Sequence, residues 1–283
     1  MRTIYVLLLL LNVSFASAQN YFATVFNGVS NYQGDLQDKL FTLARTKPAW
    51  GIGFNYELND RMLLTMDFVN GNIAGDDKFS VKNRSRNLSF QSNITEFSLG
   101  FEYVLFDLYD YKVSPYFFAN LGVFRFSPYV LASNGAKIFL SEYDTEGQGF
   151  YNNRKKYKLT QFCLPVGMGM QWALSNNVRV AVLFGIRKTF TDYLDDVSKT
   201  YVDKNLLLQN RGQKAVDLAY RGNQLPNGLP YPADGAIRGN PKNKDAYYFT
   251  GVSLRFRLKT PSRIEQTHFK IHKSSTACPV NPL

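Results

Sequence analysis

Two histidines, two cysteines and two tryptophans are all that the 283 residues contain of these types. His268 and His272 both fall near the C-terminus, past the last patterned segment. An esterase, protease or acyltransferase built into the body of the chain would therefore lack its histidine base. Their i, i+4 spacing suits a helical metal pair, but no third ligand is evident nearby, and a solvated tail is the plainer reading. Cys163 lies in a strand-like stretch and Cys278 near the end, so two free thiols are expected, not a bridge. Beyond the first residues no apolar run of about 18 residues occurs, which excludes a transmembrane helix. No run of five basic residues occurs either, although the formal net charge is +11. Dispersed positive charge on an exported chain argues against a nucleic-acid partner and suits weak attraction to anionic lipopolysaccharide or peptidoglycan.

What the chain does have is rings: 18 Tyr and 23 Phe, with aromatics 15% of the whole. It also has an export signal. Arg2 opens a positive n-region, Ile4 to Val13 is a short apolar run, and Ala16-Ser17-Ala18 supplies the small residues that signal peptidase cuts. Residues 1–18 are therefore expected to be a cleaved signal peptide, with no cysteine at the cut to make a lipoprotein.

The mature chain alternates with a period of two, as strands do when successive side chains face opposite ways. In 49–58 one face carries Trp50, Ile52, Phe54, Tyr56 and Leu58, and the other Ala49, Gly51, Gly53, Asn55 and Glu57. Segments 94–105, 162–174, 178–190 and 247–258 repeat the pattern, and 21–28, 62–72 and 115–127 show it more weakly. That makes eight strands of about 9 to 13 residues, the length of a tilted bilayer span. Short links at 59–61, 107–113 and 175–177 alternate with long ones at about 30–47, 73–91, 128–156 and 191–245. Tight turns at one rim and long loops at the other describe an all-β, eight-stranded antiparallel outer-membrane barrel with long extracellular loops. Both termini are expected in the periplasm, with the barrel over 19–258 and a tail over 259–283. A secreted lipocalin-like barrel also has eight strands, but it would put its bulky apolar face inward. Here Phe, Trp and Met crowd one face while Gly, Ala, Ser and charge share the other, and only the second fits a narrow lumen.

The inward parity gathers Glu57, Asp67, Glu96 and Glu102 with Arg179, Arg187, Arg255 and Arg257. Buried charges need partners, so four acids against four bases read as a self-neutralising plug, ahead of a conduction path. Glu57, Glu102, Arg179, Arg255 and Arg257 fall near the turn-side rim and are expected to form one layer, with Glu96 and Arg187 in a second, higher one. In Thr191-Asp-Tyr-Leu-Asp-Asp-Val197, the carboxylates Asp192, Asp195 and Asp196 could hold calcium, but a turn capped by Thr191 or Asp192 is favoured. Gly147-Gln148-Gly149 is a lone glycine pair that says nothing of phosphates.

Several segments carry a family resemblance: NYQGDL (31–36), RNLSFQSNITE (86–96), SPYFFANLGVFRFS (114–127), EGQG (146–149) and RKTFTDYLDDVSKTYVD (187–203). Together they resemble the outer-membrane barrels of the type IX secretion system, the PorG-like proteins. The motif loops in that likeness hold Gly34, Asp35, Thr191, Asp192, Tyr193, Asp195 and Asp196. The resemblance implies a Gram-negative outer-membrane location and a non-enzymatic role in exporting cargo. It also implies contact with membrane lipid and with a periplasmic ring, and no cofactor, small-molecule substrate or catalytic residue. A general outer-membrane anchor or narrow channel is the alternative.

Overall fold

The computed structural model describes residues 20–37, 42–80 and 82–258. The expected signal peptide, the tail from 259, His268, His272 and Cys278 lie outside the described residues. Nine strands follow one another: β1 Asn20–Gln33, β2 Lys47–Asn59, β3 Met62–Asp76, β4 Ser89–Val104, β5 Val113–Leu131, β6 Lys137–Phe139, β7 Thr160–Ala173, β8 Val178–Thr189 and β9 Ala246–Arg257. Eight of them pair antiparallel around a ring. β9 bonds to β1 from Phe22↔Arg257 to Gln33↔Ala246, and that ladder closes the wall. The ninth, β6, is a short hairpin strand on the far end of β5. Closure leaves the ring no open edge, so each wall strand bonds to a neighbour on both sides.

Alternation decides which face is which. Trp50, Ile52, Phe54, Phe97, Leu99, Phe101, Met168, Leu254 and Phe256 stand on the outer face and are exposed. Glu57, Glu96, Glu102, Arg179, Arg187 and Arg255 are buried on the inner face. Apolar outside and charged inside is the polarity of a protein whose solvent is lipid. The lumen is closed by side chains: a Cβ on Gly167 or Gly185 would come within 2.5 or 2.6 Å of the Phe118 ring. These two glycines, paired across β7 and β8, make room for an aromatic ring inside the barrel.

The eight wall strands run 12 to 19 residues, longer than a bilayer span requires. Their extra rows lie at the loop end, where alternation ceases in β1, β3, β5 and β9 because both faces are covered by protein. Tyr32, Ile73, Ala74, Phe90 and Phe126 are buried there with Leu36, Leu88, Leu194 and Leu218 from the loops. The largest apolar core thus sits above the lumen, between the barrel mouth and a folded cap. The cap includes two helices that the loop composition did not announce, α1 Lys204–Arg211 and α2 Gln213–Ala219. Asp203 caps α1 by accepting from the Leu206 amide at 2.9 Å, and α2 buries Ala215, Val216, Leu218 and Ala219.

A closed ladder of this kind resists detergent until heated. The full-length protein should fractionate with outer membranes and run faster on a gel unboiled than boiled. Recovery of the mature chain as a soluble periplasmic species would contradict the reading of its outer face.

Candidate functional site

The turn-end floor is built around Glu57. Arg179 donates to its Oε1 at 2.8 Å, Arg257 lies 3.8 Å from Oε2, and the Tyr109 hydroxyl donates to Oε2 at 2.6 Å. Tyr109 comes from the β4–β5 turn and folds back into the barrel. Both guanidinium groups lie over its ring and over the ring of Phe22, at 4.4 to 5.6 Å. Arg255 forms a separate fork on Glu102, at 2.5 and 2.7 Å, and Gln171 accepts from it at 3.1 Å. The five rim charges therefore divide between two clusters. Arg255 stands one inward row above Arg257 and reaches β4, whereas Arg257 stays against β2.

Higher in the lumen, Arg187 Nε lies 3.2 and 3.3 Å from the two oxygens of Glu96. Tyr247 donates to Glu96 at 2.7 Å, and Phe249 lies under the guanidinium at 4.5 Å. Asp67 corrects the expectation of four matched pairs: among the described residues it makes no ion pair, and Asn120 approaches it at 3.5 Å. Glu57 takes two arginines, which leaves Asp67 without one. Asp67 instead borders a cavity of about 60 Å³ with Tyr116, Ser253 and Arg255. A space of that size, with Asp67, Asn120 and Arg255 among its lining groups, has room for water. Cys163 is a buried free thiol beside Tyr247.

The loop end brings together motifs that are far apart in sequence. Arg86 forks onto Asp77 at 2.6 and 2.8 Å and also donates to the Asp35 carbonyl at 2.9 Å. Arg238 donates to Glu146 Oε1 at 3.0 Å and to the Asp196 carbonyl at 2.6 Å. The Glu146 carboxylate further accepts the amides of Ser198 and Lys199, at 2.9 to 3.1 Å. The EGQG segment is thus an anchor for the 191–203 motif. Tyr32 donates to Asp195 at 2.6 Å and to Asp245 at 3.1 Å. Thr145 and Tyr157 each donate to Asp196 at 2.6 Å, and Tyr157 stacks on Tyr193 at 4.6 Å. Thr191 Oγ1 accepts the Tyr193 amide at 3.3 Å, so Thr191, and not Asp192, caps that turn. The carboxylate of Asp192 is buried beside the Ser198 side chain.

Asp192, Asp195 and Asp196 do not converge on a point, because each is committed to a different neighbour. Among the described residues no group of three or more His, Cys, Asp or Glu is arranged to hold a metal. Arg86, Arg238, Asp77 and Asp245 carry this cap, and none stood out as a site residue in sequence. The signal available for Arg86 and Glu146 was their place inside family segments. Arg238 and Asp245 had none.

Burial dominates the protonation of the cap carboxyls. It pushes Asp192 up to about 7, with Asp35 adding to the rise, and Asp196 up to about 6 against the pull of Arg238. Asp195 and Asp245 are raised well above the ordinary range by burial, each with a neighbouring carboxylate adding to it.

A closed ladder around a sealed charged lumen, wrapped in an apolar belt, defines a small outer-membrane β-barrel. The chain belongs to the family described as a domain of unknown function, DUF6089, whose match covers residues 1–210. That match takes in seven of the eight wall strands and stops inside α1. No curated protein matches the sequence. Solved structures similar to it include Neisserial surface protein A, at 11% identity and TM-score 0.40, over 85% of this chain and 97% of that one. The attachment invasion locus protein Ail of Yersinia pestis, in complex with the heparin analogue sucrose octasulfate, is similar at 10% identity and TM-score 0.39, over 84% and 99%. The N-terminal barrel domain of Pseudomonas aeruginosa OprF is similar at 10% and 0.35, over 83% and 96%.

Two expectations come from these charges. Arg187→Leu leaves Glu96 buried and unpaired, which costs about 3 to 5 kcal/mol. The midpoint of heat-induced barrel opening should fall markedly, and adding Glu96→Leu should recover much of it. If the double variant is no better than the single, the pair is not what couples them. The second concerns pH. Asp192 and Asp196 hold protons more tightly folded than unfolded, where the ordinary value is 3.8. Their contribution is complete below about pH 4 and is lost as pH rises through about 6 and 7. Limited proteolysis should therefore nick the cap more slowly at pH 5 than at pH 8, measured against a substrate control for the protease. Asp192→Asn should flatten that difference by protecting the cap at pH 8.

Proposed function

We propose that this barrel is a non-enzymatic accessory component of the type IX protein secretion machinery, working through its surfaces and not through its lumen. The observation that supports this most directly is the double closure of the lumen. Two ion-pair clusters close the turn end, Glu96 and Arg187 cross above them, and a folded cap covers the mouth. A narrow channel would need that stack of paired charges to part, and a buried pair is costly to break. Both histidines lie beyond the last strand, which leaves the wall and cap without the usual base. The sequence likeness to the PorG-like barrels supplies the machinery, and the convergence of NYQGDL, EGQG and TDYLDDVS in one cap gives those shared segments a common task.

In this reading the turn end and both termini face the periplasm, and the cap faces outward. The turn between β4 and β5 is held from inside by Tyr109, while Phe106 and Tyr111 stay exposed, with rings 5.7 Å apart. With the tail from Lys259, which carries Lys259, Arg263, Lys270 and Lys273 against Glu265, this turn is the proposed contact for the periplasmic ring.

The test is a pull-down of tagged full-length protein from detergent-solubilised outer membranes, read by mass spectrometry, beside a chain lacking residues 262–283. Ring components should co-purify with the full chain and be reduced without the tail. Capture of no secretion component, with step conductance in planar bilayers, would replace this proposal with the channel. Ring capture that is unchanged by the deletion would overturn the tail as the contact.

A further inference from the structure

Above the wall of β8, β9 and β1 lies a cleft of about 1270 Å³ that is separate from the lumen and reaches inward to the cap. Its sill is a row of paired residues, Lys188↔Ala246 and Ala246↔Gln33. All three carry the outward parity, because Arg187, Tyr247 and Tyr32, their chain neighbours, turn inward and are buried. The cleft therefore opens sideways, onto the outer surface of the barrel at the level where the wall leaves the bilayer. Directly below the sill on that same face, Phe184 stacks on Tyr248 with centroids 5.8 Å apart. Tyr248 is itself buried, so Phe184 and Ile186 of β8 supply the apolar surface that leads up to the opening.

The charge of the cleft is one-sided. Lys82, Lys188, Lys242 and Lys244 line it, exposed, and among the described residues none of them makes an ion pair. Arg86 and Arg238 line its inner end. The carboxylates in the lining are already occupied. Asp35 accepts the Asn240 amide through both oxygens, at 3.0 and 3.2 Å. Asp245 accepts from the Tyr32 hydroxyl and, at 2.9 Å, from the Leu194 amide. The other side of the cleft is apolar: Leu229 and Ile237 are exposed there at 65% and 83%.

We infer that this cleft is a binding site for the phosphorylated headgroup of a membrane lipid in the leaflet on the loop side. Phosphate sits on the lysines, and acyl chains descend over Phe184 and Ile186. Clustered lysines beside a lipid surface attract anionic headgroups by about 1 kcal/mol each, close to fivefold in affinity. A sideways opening next to an apolar wall selects a lipid over a soluble anion. A free phosphate compound would gain nothing from that wall, and an acidic polymer would need the charge to continue along the outside of the cap.

The experiment uses full-length protein refolded in a neutral detergent. Bis-phosphorylated lipid A, a zwitterionic phospholipid and inorganic pyrophosphate are titrated separately, with bound ligand counted by native mass spectrometry. Lipid A should bind one per barrel and outlast the zwitterionic lipid, with pyrophosphate only a weak competitor. The triple variant K188A/K242A/K244A should lose roughly 100-fold in lipid A affinity. A matched variant, K155A/K158A/K204A, removes the same charge from elsewhere on the loop end and should bind as the parent does. Both variants must keep heat-modifiable mobility to count as folded; if the triple variant does not, K188A and K242A are tested singly, each with about a fivefold loss expected. Equal binding of lipid A and zwitterionic lipid, full competition by pyrophosphate, or equal losses in the two triple variants would each overturn the site.

Discussion

A guanidinium group can be kept out of water only where a carboxylate or several carbonyls accept its hydrogen bonds, and that requirement organises both ends of this protein. In the lumen, Glu57, Glu96 and Glu102 hold Arg179, Arg257, Arg187 and Arg255. In the cap, Asp77 holds Arg86, and Glu146 with Asp196 holds Arg238. Removing any one partner would leave a charge with nowhere to go, so each pair ties together strands or loops that would otherwise be independent. Arg238 shows the reach of the device. It touches the EGQG loop, the 191–203 motif and the end of α2 in one hand.

The two ends use this pairing differently. The lumen has a fixed set of inward positions, spaced two residues apart, and fills them with charge pairs, rings and glycines. Its geometry leaves little to adjust. The cap has no such lattice, and its carboxyls outnumber its buried arginines. Asp35, Asp192, Asp195 and Asp245 therefore rely on hydroxyls, amides and held protons. Acid-biased stability enters this end of the molecule through the buried carboxyls of Asp192 and Asp196.

The wall was legible because period two is a local property. Trp50, Ile52 and Phe54 announce an apolar face without any knowledge of neighbouring strands, and Glu96 and Arg187 announce the opposite face in the same way. The helices of the last loop were not legible, since α1 and α2 are short and are held by burial of Leu207, Ala215 and Ala219 in the cap, not by helical periodicity of their own. The outer rows of the strands were missed for a related reason. Asn31, Ala74 and Asp76 lie where both faces touch protein, so no alternation marks them.

Sequence by itself determined the eight wall strands, the face of each wall residue, the long and short sides of the barrel, and the set of charges sent inward. Tertiary structure alone decided who meets whom. Arg187 and Glu96 are 91 residues apart, and Tyr32 and Asp245 are 213 apart. Their meeting depends on strand tilt, register and closure between β9 and β1, which no local pattern encodes. For the same reason Asp67 is left without an arginine while Glu57 has two. Parity places a side chain inside the barrel, but only the closed ladder sets its height and its distance from a partner.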